Sequence, residues 1–214
     1  MKFRLLISIA LIGLGFSLQA QDWSSDVYKY GEEYPGYVIT ENGTKIEGYI
    51  TYQNRYTMQN EVMFYKEKDN KKSKEKYKTA DLKEYKVADK VYHCIHYSGG
   101  LLPKPVRANL VVSEGCITQY VWYDRAENYM LMQQGSTESE EEFMNRMYPS
   151  KMVFQRKGSD EPKSSDYFAL KFPSKMGEWV SDNAALAAKV EGKEKGYGLL
   201  SILQIIDEYN AQCK

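Results

Sequence analysis

The sequence predicts an α+β fold: a mostly antiparallel β-sheet (meander, sandwich or partly open barrel) with short C-terminal helices packed on it. Three observations carry this. Apolar residues recur with period two, in short runs broken by turn residues, from residue 37 to residue 172. From Pro173 the period becomes helical. Nineteen tyrosines against seven phenylalanines bias the chain toward strands and amphipathic surfaces. In a chain of 214 residues, 43% hydrophobic content with 29 basic and 29 acidic side chains describes an ordered globular protein. That balance lacks the basic surplus a nucleic-acid binder uses.

The first hairpin is the plainest local signal. Residues 37–40 and 44–52 flank Glu41-Asn42-Gly43, and Asn-Gly favours a tight hairpin because both residues tolerate positive φ. In the second arm Ile46, Gly48, Ile50 and Tyr52 share one face, and Lys45, Glu47, Tyr49 and Thr51 the other. Strands over 62–65 and 75–77 bracket the polar loop 66–72. Residues 79–84 read as a capped helical turn with Thr79 as cap. A strand over 91–97 follows, broken by Ser98-Gly99-Gly100. Beyond Pro103 and Pro105, Val106, Ala108, Leu110 and Val112 alternate with Arg107 and Asn109. Residues 115–123 are apolar on both faces, as a central strand would be. Strands over 129–132, 152–154 and 167–172 complete a set of eight to ten. Between them, 137–147 reads as a helix capped by Ser136 or Thr137, with Phe143, Met144 and Met147 as its apolar edge.

The C-terminal segments follow helix rules. Pro173 suits a first helical turn, and Met176, Trp179 and Val180 form one apolar side. Leu186 and Val190 belong to a second short helix ended by Gly192. Leu199, Ile202, Leu203, Ile206 and Tyr209 mark the stripe of a third. Helices this short need a surface to pack on. The expectation is therefore one domain over 21–214, with a β-rich part to residue 172 and a helical tail over 173–214.

Residues 1–20 read as a secretory signal peptide. Lys2 and Arg4 precede an apolar run over 5–18, and Ala20 supplies the small residue a peptidase needs. The run is shorter than the roughly 20 residues that span a bilayer core. Cleavage after Ala20 leaves 27 basic and 29 acidic residues, a formal charge of −2. The expected location is periplasmic or extracellular, with no transmembrane span in the mature chain.

Residues 36–50 (GYVITENGTKIEGYI), 62–65 (VMFY) and 77–85 (YKTADLKEY) resemble a family of short exported proteins of Bacteroidetes-type bacteria. The tail, from Trp179-Val180-Ser181-Asp182 through Leu199-Leu200 to Asp207-Glu208-Tyr209-Asn210, is similar to the helical tail of such proteins. The resemblance covers both ends better than the middle. It implies export and a β-then-α layout, and it transfers no catalytic residue.

Three cysteines, Cys94, Cys116 and Cys213, leave at least one thiol unpaired within a monomer. If 91–97, 105–112 and 115–124 form a meander, the outer two strands lie about 9.5 Å apart. That exceeds the roughly 7 Å Cα limit of a disulfide, so Cys94 and Cys116 are expected not to bond. His93, Cys94 and His96 carry zinc-type ligands, but alternation puts His93 opposite the other two. A metal or hydrolase site would therefore be built from Cys94, His96 and Cys116. No nucleophile elbow, phosphate-binding glycine loop or calcium loop is present, and no cofactor is implied. Glu138, Glu140, Glu141 and Glu142 read as a solvated helix face.

Residues 66–90 hold ten lysines against six acids. Interleaved as they are, these lysines read as guards of an exposed hairpin against edge-to-edge pairing. The aromatic residues offer a binding surface instead, with Trp23, Tyr37 and Tyr49 as candidates, because tyrosine combines rigid contact area with a polar tip. The functional expectation is a non-catalytic exported module recognising an envelope or secreted protein, or a glycan. The alternative is a hydrolase or metal-dependent enzyme using Cys94, His96 and Cys116.

Overall fold

The computed structural model describes residues 28–97, 105–124, 137–159 and 161–213. Residues 1–20, expected to be a signal peptide, Trp23 and the strand expected over 129–132 lie outside the described residues. Ten strands among the described residues form a single antiparallel sheet. They are β1 (Glu33–Thr40), β2 (Lys45–Thr51), β3 (Glu61–Tyr65), β4 (Lys74–Lys78), β5 (Leu82–Val87), β6 (Lys90–His96), β7 (Val106–Ser113), β8 (Ile117–Tyr123), β9 (Ser150–Arg156) and β10 (Lys163–Ser164). Their order is β10-β9-β8-β7-β6-β5-β1-β2-β3-β4, so two edges remain and the sheet is open rather than a closed barrel. The one departure from a meander is the return of β5 to pair with β1.

The expected hairpin forms between β1 and β2. Gly43 takes the positive φ of 86°, and Asn42 Oδ1 accepts the Thr44 N–H, closing the turn through a side chain. On the inner face of this pair, Gly36 lies opposite Gly48. A Cβ at Gly36 would fall 1.9 Å from the Lys86 carbonyl oxygen, and one at Gly48 2.3 Å from that of Tyr65. Adjoining strands thus close in on both sides of the glycine pair, and the Phe64 ring fills the space over Gly48.

Val38, Ile50, Phe64, Leu82, Tyr85, Tyr92, Ala108, Leu110, Val121 and Tyr123 point to the inner face and form the first core. The β2–β3 connection, with helix α1 (Arg55–Met58), closes over it. Tyr85 donates its hydroxyl to the Met58 carbonyl at 2.6 Å, and Gln59 is fully buried. Where β7 and β8 part beyond the Leu110–Val121 pair, Gln59 enters the gap. Its carbonyl accepts the Ala108 N–H, and its side chain pairs with the backbone of Tyr123.

The second core joins the inner ends of β8 and β9 to the tail. Ile117 and Phe154 meet Phe168 of α3 (Ser165–Ala169) and Phe172 and Met176 of α4 (Phe172–Trp179). Leu186 and Val190 of α5 (Ala184–Glu191) and Ile205 and Ile206 of α6 (Ile202–Gln212) complete it. Pro173 starts α4 and Gly192 caps α5, as the sequence predicts. A disulfide between Cys116 and Cys213 ties the end of α6 to the approach to β8. The meander places β6 and β8 on either side of β7, and Cys94 is the free cysteine.

Four expectations are corrected. Residues 167–172 are not a strand; β10 ends at Ser164, and Phe168 and Phe172 meet the second core from helices. Residues 79–81 form one 3-10 turn before β5 begins, with Thr79 buried inside the turn and bonded to the Asn60 and Val106 carbonyls. Helix α2 (Glu140–Met147) is capped by Ser139, whose hydroxyl accepts the Glu142 N–H while Glu142 accepts the Ser139 N–H. The side chains of Glu140, Glu141 and Met144 lie outside the described residues. In the last helix Ile205 is buried, while Leu199 and Leu203 are exposed.

Candidate functional site

The sequence-predicted residues divide between the two sides of the sheet. Cys94 points to the inner face and packs on the first core, where burial pushes its thiol well above the ordinary cysteine range. Such a thiol is inert toward metals and electrophiles, because the thiolate is the reactive form. His96 is exposed at the end of β6. Cys116 is bonded to Cys213 and has no thiolate to offer. The structure does not bring Cys94, His96 and Cys116 together as a ligand set, and no group of three or more His, Cys, Asp or Glu side chains suited to a metal ion occurs among the described residues.

The outer face is different. The α1 connection and helices α3–α6 pack on the two inner cores. Over β7–β9 the outer face carries a third apolar cluster, Tyr97, Val111, Tyr120, Trp122 and Val153. Beside it, over β1, β2, β5 and β6, the face is half-buried and polar-aromatic. Tyr37 and Tyr49 both belong here, since Val38 and Ile50 beside them point inward. Tyr49 stands opposite Tyr65 of β3.

Register assembles a hydrogen-bonded row across this face. Tyr37 of β1 donates its hydroxyl to Glu84 Oε1 of β5 at 2.5 Å. Glu84 lies opposite His93 of β6, whose Nε2 is 3.5 Å from Glu84 Oε2 and 3.2 Å from Glu114 Oε1. His93 Nδ1 is 3.0 Å from the Tyr120 hydroxyl, which lies 3.4 Å from Gln155 Oε1 of β9. Five strands thus contribute one chain of polar groups, and buried Tyr120 fixes the imidazole from behind. Nε2 faces both carboxylates and is the nitrogen placed to donate to them, while the single Tyr120 hydroxyl hydrogen serves either His93 Nδ1 or Gln155 Oε1.

Electrostatics keeps the phenols protonated. Burial, then the hydrogen bond to Glu84, raises the Tyr37 hydroxyl above the ordinary tyrosine range, and burial does the same for Tyr120. Lys45 sits 4.3 Å from the centre of the Tyr37 ring and covers one aromatic face. The accessible part of the row presents a carboxylate pair, an imidazole edge and tyrosine rims. These groups can donate to and accept from hydroxyls. Among the described residues no serine or cysteine is a hydrogen-bond partner of His93, so they do not form the nucleophile–base pair of a covalent hydrolase in the row.

Sequence reading named Tyr37 and Tyr49 as candidates, and of these the hydrogen-bonded row contains Tyr37; it did not name Glu84, Glu114, Tyr120 or Gln155 as site residues. Only His93 carried a signal, as the histidine pointing away from Cys94. The rest depend on strand register. Comparison with known proteins gave no matching family model, curated protein or solved structure.

Proposed function

We propose that this protein is a non-catalytic exported module that binds a glycan along the outer face of its sheet. The observation that carries the reading is the cross-strand row Tyr37–Glu84–His93 beside Tyr49 and Glu114, a half-buried surface where hydrogen-bonding groups alternate with aromatic rings. Sugars expose the same alternation, hydroxyls around the ring and C–H faces above and below it. A protein partner can also use a tyrosine-rich surface, so it is the sugar-like alternation of polar and aromatic groups that favours a glycan. Of the large hydrophobic residues exposed among the described ones, Tyr30 lies just before β1 and the others fall between Tyr167 and Leu203, off this row.

Export draws support from three sources: the signal-like residues 1–20, the resemblance to short exported bacterial proteins, and a disulfide, which persists best in an oxidising compartment. The test is a glycan array probed with the chain from Gln21 onward, followed by calorimetry on the best ligand. Tyr49→Ala and His93→Ala should each weaken binding about tenfold or more, with unchanged circular dichroism. Full affinity in both variants, or no bound glycan on the array, would sink the reading.

A further inference from the structure

One residue on from Glu114, the outer-face row meets a cup of about 350 Å³ lined by Gly115, Thr118, Gln155, Arg156, Lys157 and Ser159. Gln155 belongs to both, since its Oε1 faces Tyr120 and its Nε2 donates to the Ser159 carbonyl. A second cavity of about 530 Å³ shares Arg156 and Lys157 with the cup and adds Asp182, Tyr209 and the Cys116–Cys213 disulfide. Both volumes fall within the range of small-ligand sites.

The charges are distributed unequally. Arg156 is committed: it donates to the Trp179 carbonyl at 3.1 Å and to Asp182 at 2.8 Å. Asp182 is committed as well, accepting also from the Tyr209 hydroxyl. Lys157 is exposed and has no ion-pair partner among the described residues, while its backbone is held by a 2.7 Å hydrogen bond to the Cys116 carbonyl. The cup therefore combines a fixed ammonium-bearing residue with the hydroxyls of Thr118 and Ser159 and the Gln155 amide, and among the described residues no carboxylate lines it. Glu84 and Glu114 make the neighbouring row repel anions. An extended ligand with one negative group would be driven to set that group in the cup and its neutral remainder on the row.

We propose that the cup holds an oxyanion substituent, carboxylate or sulfate, of an acidic glycan. The inference rests on the glycan reading of the row. Binding of oligogalacturonate would be measured by calorimetry against its methyl-esterified form, and a sulfated galactan oligosaccharide against its desulfated form. The wild type and Lys157→Gln would be compared. Lys157 is exposed, so its neutral variant should fold normally. For one of the pairs, the charged member should bind roughly fivefold more tightly, as a single partly exposed ion pair permits. That preference should fade with salt and vanish in Lys157→Gln, while affinity for the neutral member stays unchanged. The pair showing the preference identifies the oxyanion. Equal affinity within both pairs would overturn the cup and leave the row standing. A preference surviving in Lys157→Gln would also overturn it. Failure of every glycan, neutral ones included, would remove the reading of the row and the cup with it.

Discussion

The side chain of Gln59 does for Tyr123 what a neighbouring strand would do. The Tyr123 N–H donates to Gln59 Oε1 at 2.6 Å, and Gln59 Nε2 donates to the Tyr123 carbonyl at 2.8 Å. At the other end of β8, Asn210 repeats the arrangement on Ile117, accepting its N–H and donating to its carbonyl, both at 2.8 Å. Ile117 and Tyr123 are six residues apart, so their backbone groups point the same way, toward β7. Two amides from distant parts of the chain thus complete the hydrogen bonding of one strand. One comes from the crossover over the first core, the other from the last helix.

Gln59→Ala should be among the costlier single substitutions. It removes the two hydrogen bonds that Gln59 gives to the buried backbone of Tyr123, at about 1–3 kcal/mol for each. A loss of about 3 kcal/mol in urea denaturation is expected. Gln59→Glu restores the acceptor but sets a carboxylate against the Tyr123 carbonyl, so it should not rescue. A loss below about 1 kcal/mol in both would refute the pairing.

The Cys116–Cys213 bridge closes a sequence separation of 97 residues. Chain-entropy reasoning gives about 4–5 kcal/mol for a loop of that size, and measured bridges usually deliver about 2–4 kcal/mol. Cys213→Ser should therefore cost about 3 kcal/mol. Alkylation under native conditions should leave Cys94 unmodified, because it packs in the core and its thiol is held protonated. Non-reducing peptide maps should recover the 116/213 pair. A linked Cys94–Cys116 peptide would contradict both the bridge and the meander.

Alkali should unfold the protein through its tyrosines. Tyr85 and Tyr92 are buried with rings stacked 4.6 Å apart, and burial lifts both hydroxyls well above the usual value. Tyr28, half-buried and bonded to Asp89, is pushed up to about 12. A folded pKa above the unfolded value near 10 gives stability that is complete below about pH 10 and lost as pH climbs through the folded value. Phenolate absorbance at 295 nm should thus gain a late component that rises together with loss of near-ultraviolet circular dichroism. Complete ionisation near pH 10 with the fold intact would contradict it.

Strand β4 is one edge of the sheet, and Lys74, Lys76 and Lys78 are exposed along it. Charged edges resist pairing with another chain. Replacing Lys74 and Lys78 with valine should shift sedimentation velocity toward larger species at equal concentration. Lys76 is left in place because it pairs with Glu61 at 2.6 Å. No shift would mean that the lysines serve some other purpose.

Local rules made much of the fold legible. Asn42-Gly43 gave the hairpin, the alternation from Val106 to Val112 gave β7, and Pro173 and Gly192 bounded the tail helices. The errors have physical causes. Phe168 and Phe172 are spaced i, i+4, but the run they sit in is short enough to pass for a strand. Leu199 lies in a 3-10 turn, so a stripe drawn through it at 3.6 residues per turn is out of phase with α6, and Ile205 rather than Leu203 reaches the core. The site was harder. A buried amide such as Gln59 has no periodic signature, and its partner is 64 residues away. Three cysteines allow three pairings, and sequence could dismiss only one. Tyr49 could be placed on the wet face, but joining Tyr37 to Glu84 and His93 requires the β1–β5–β6 register.

The amide splints on β8 also separate two kinds of motion. In the folded protein the Tyr123 N–H opens to water only when the crossover lifts off the first core, whereas that of Ile117 opens when the last helix leaves the second. Hydrogen–deuterium exchange at these two positions would therefore clock the two lobes independently within one strand. If the tail breathes more readily than the crossover, Ile117 will exchange first, and breaking the Cys116–Cys213 bridge will widen the interval between them.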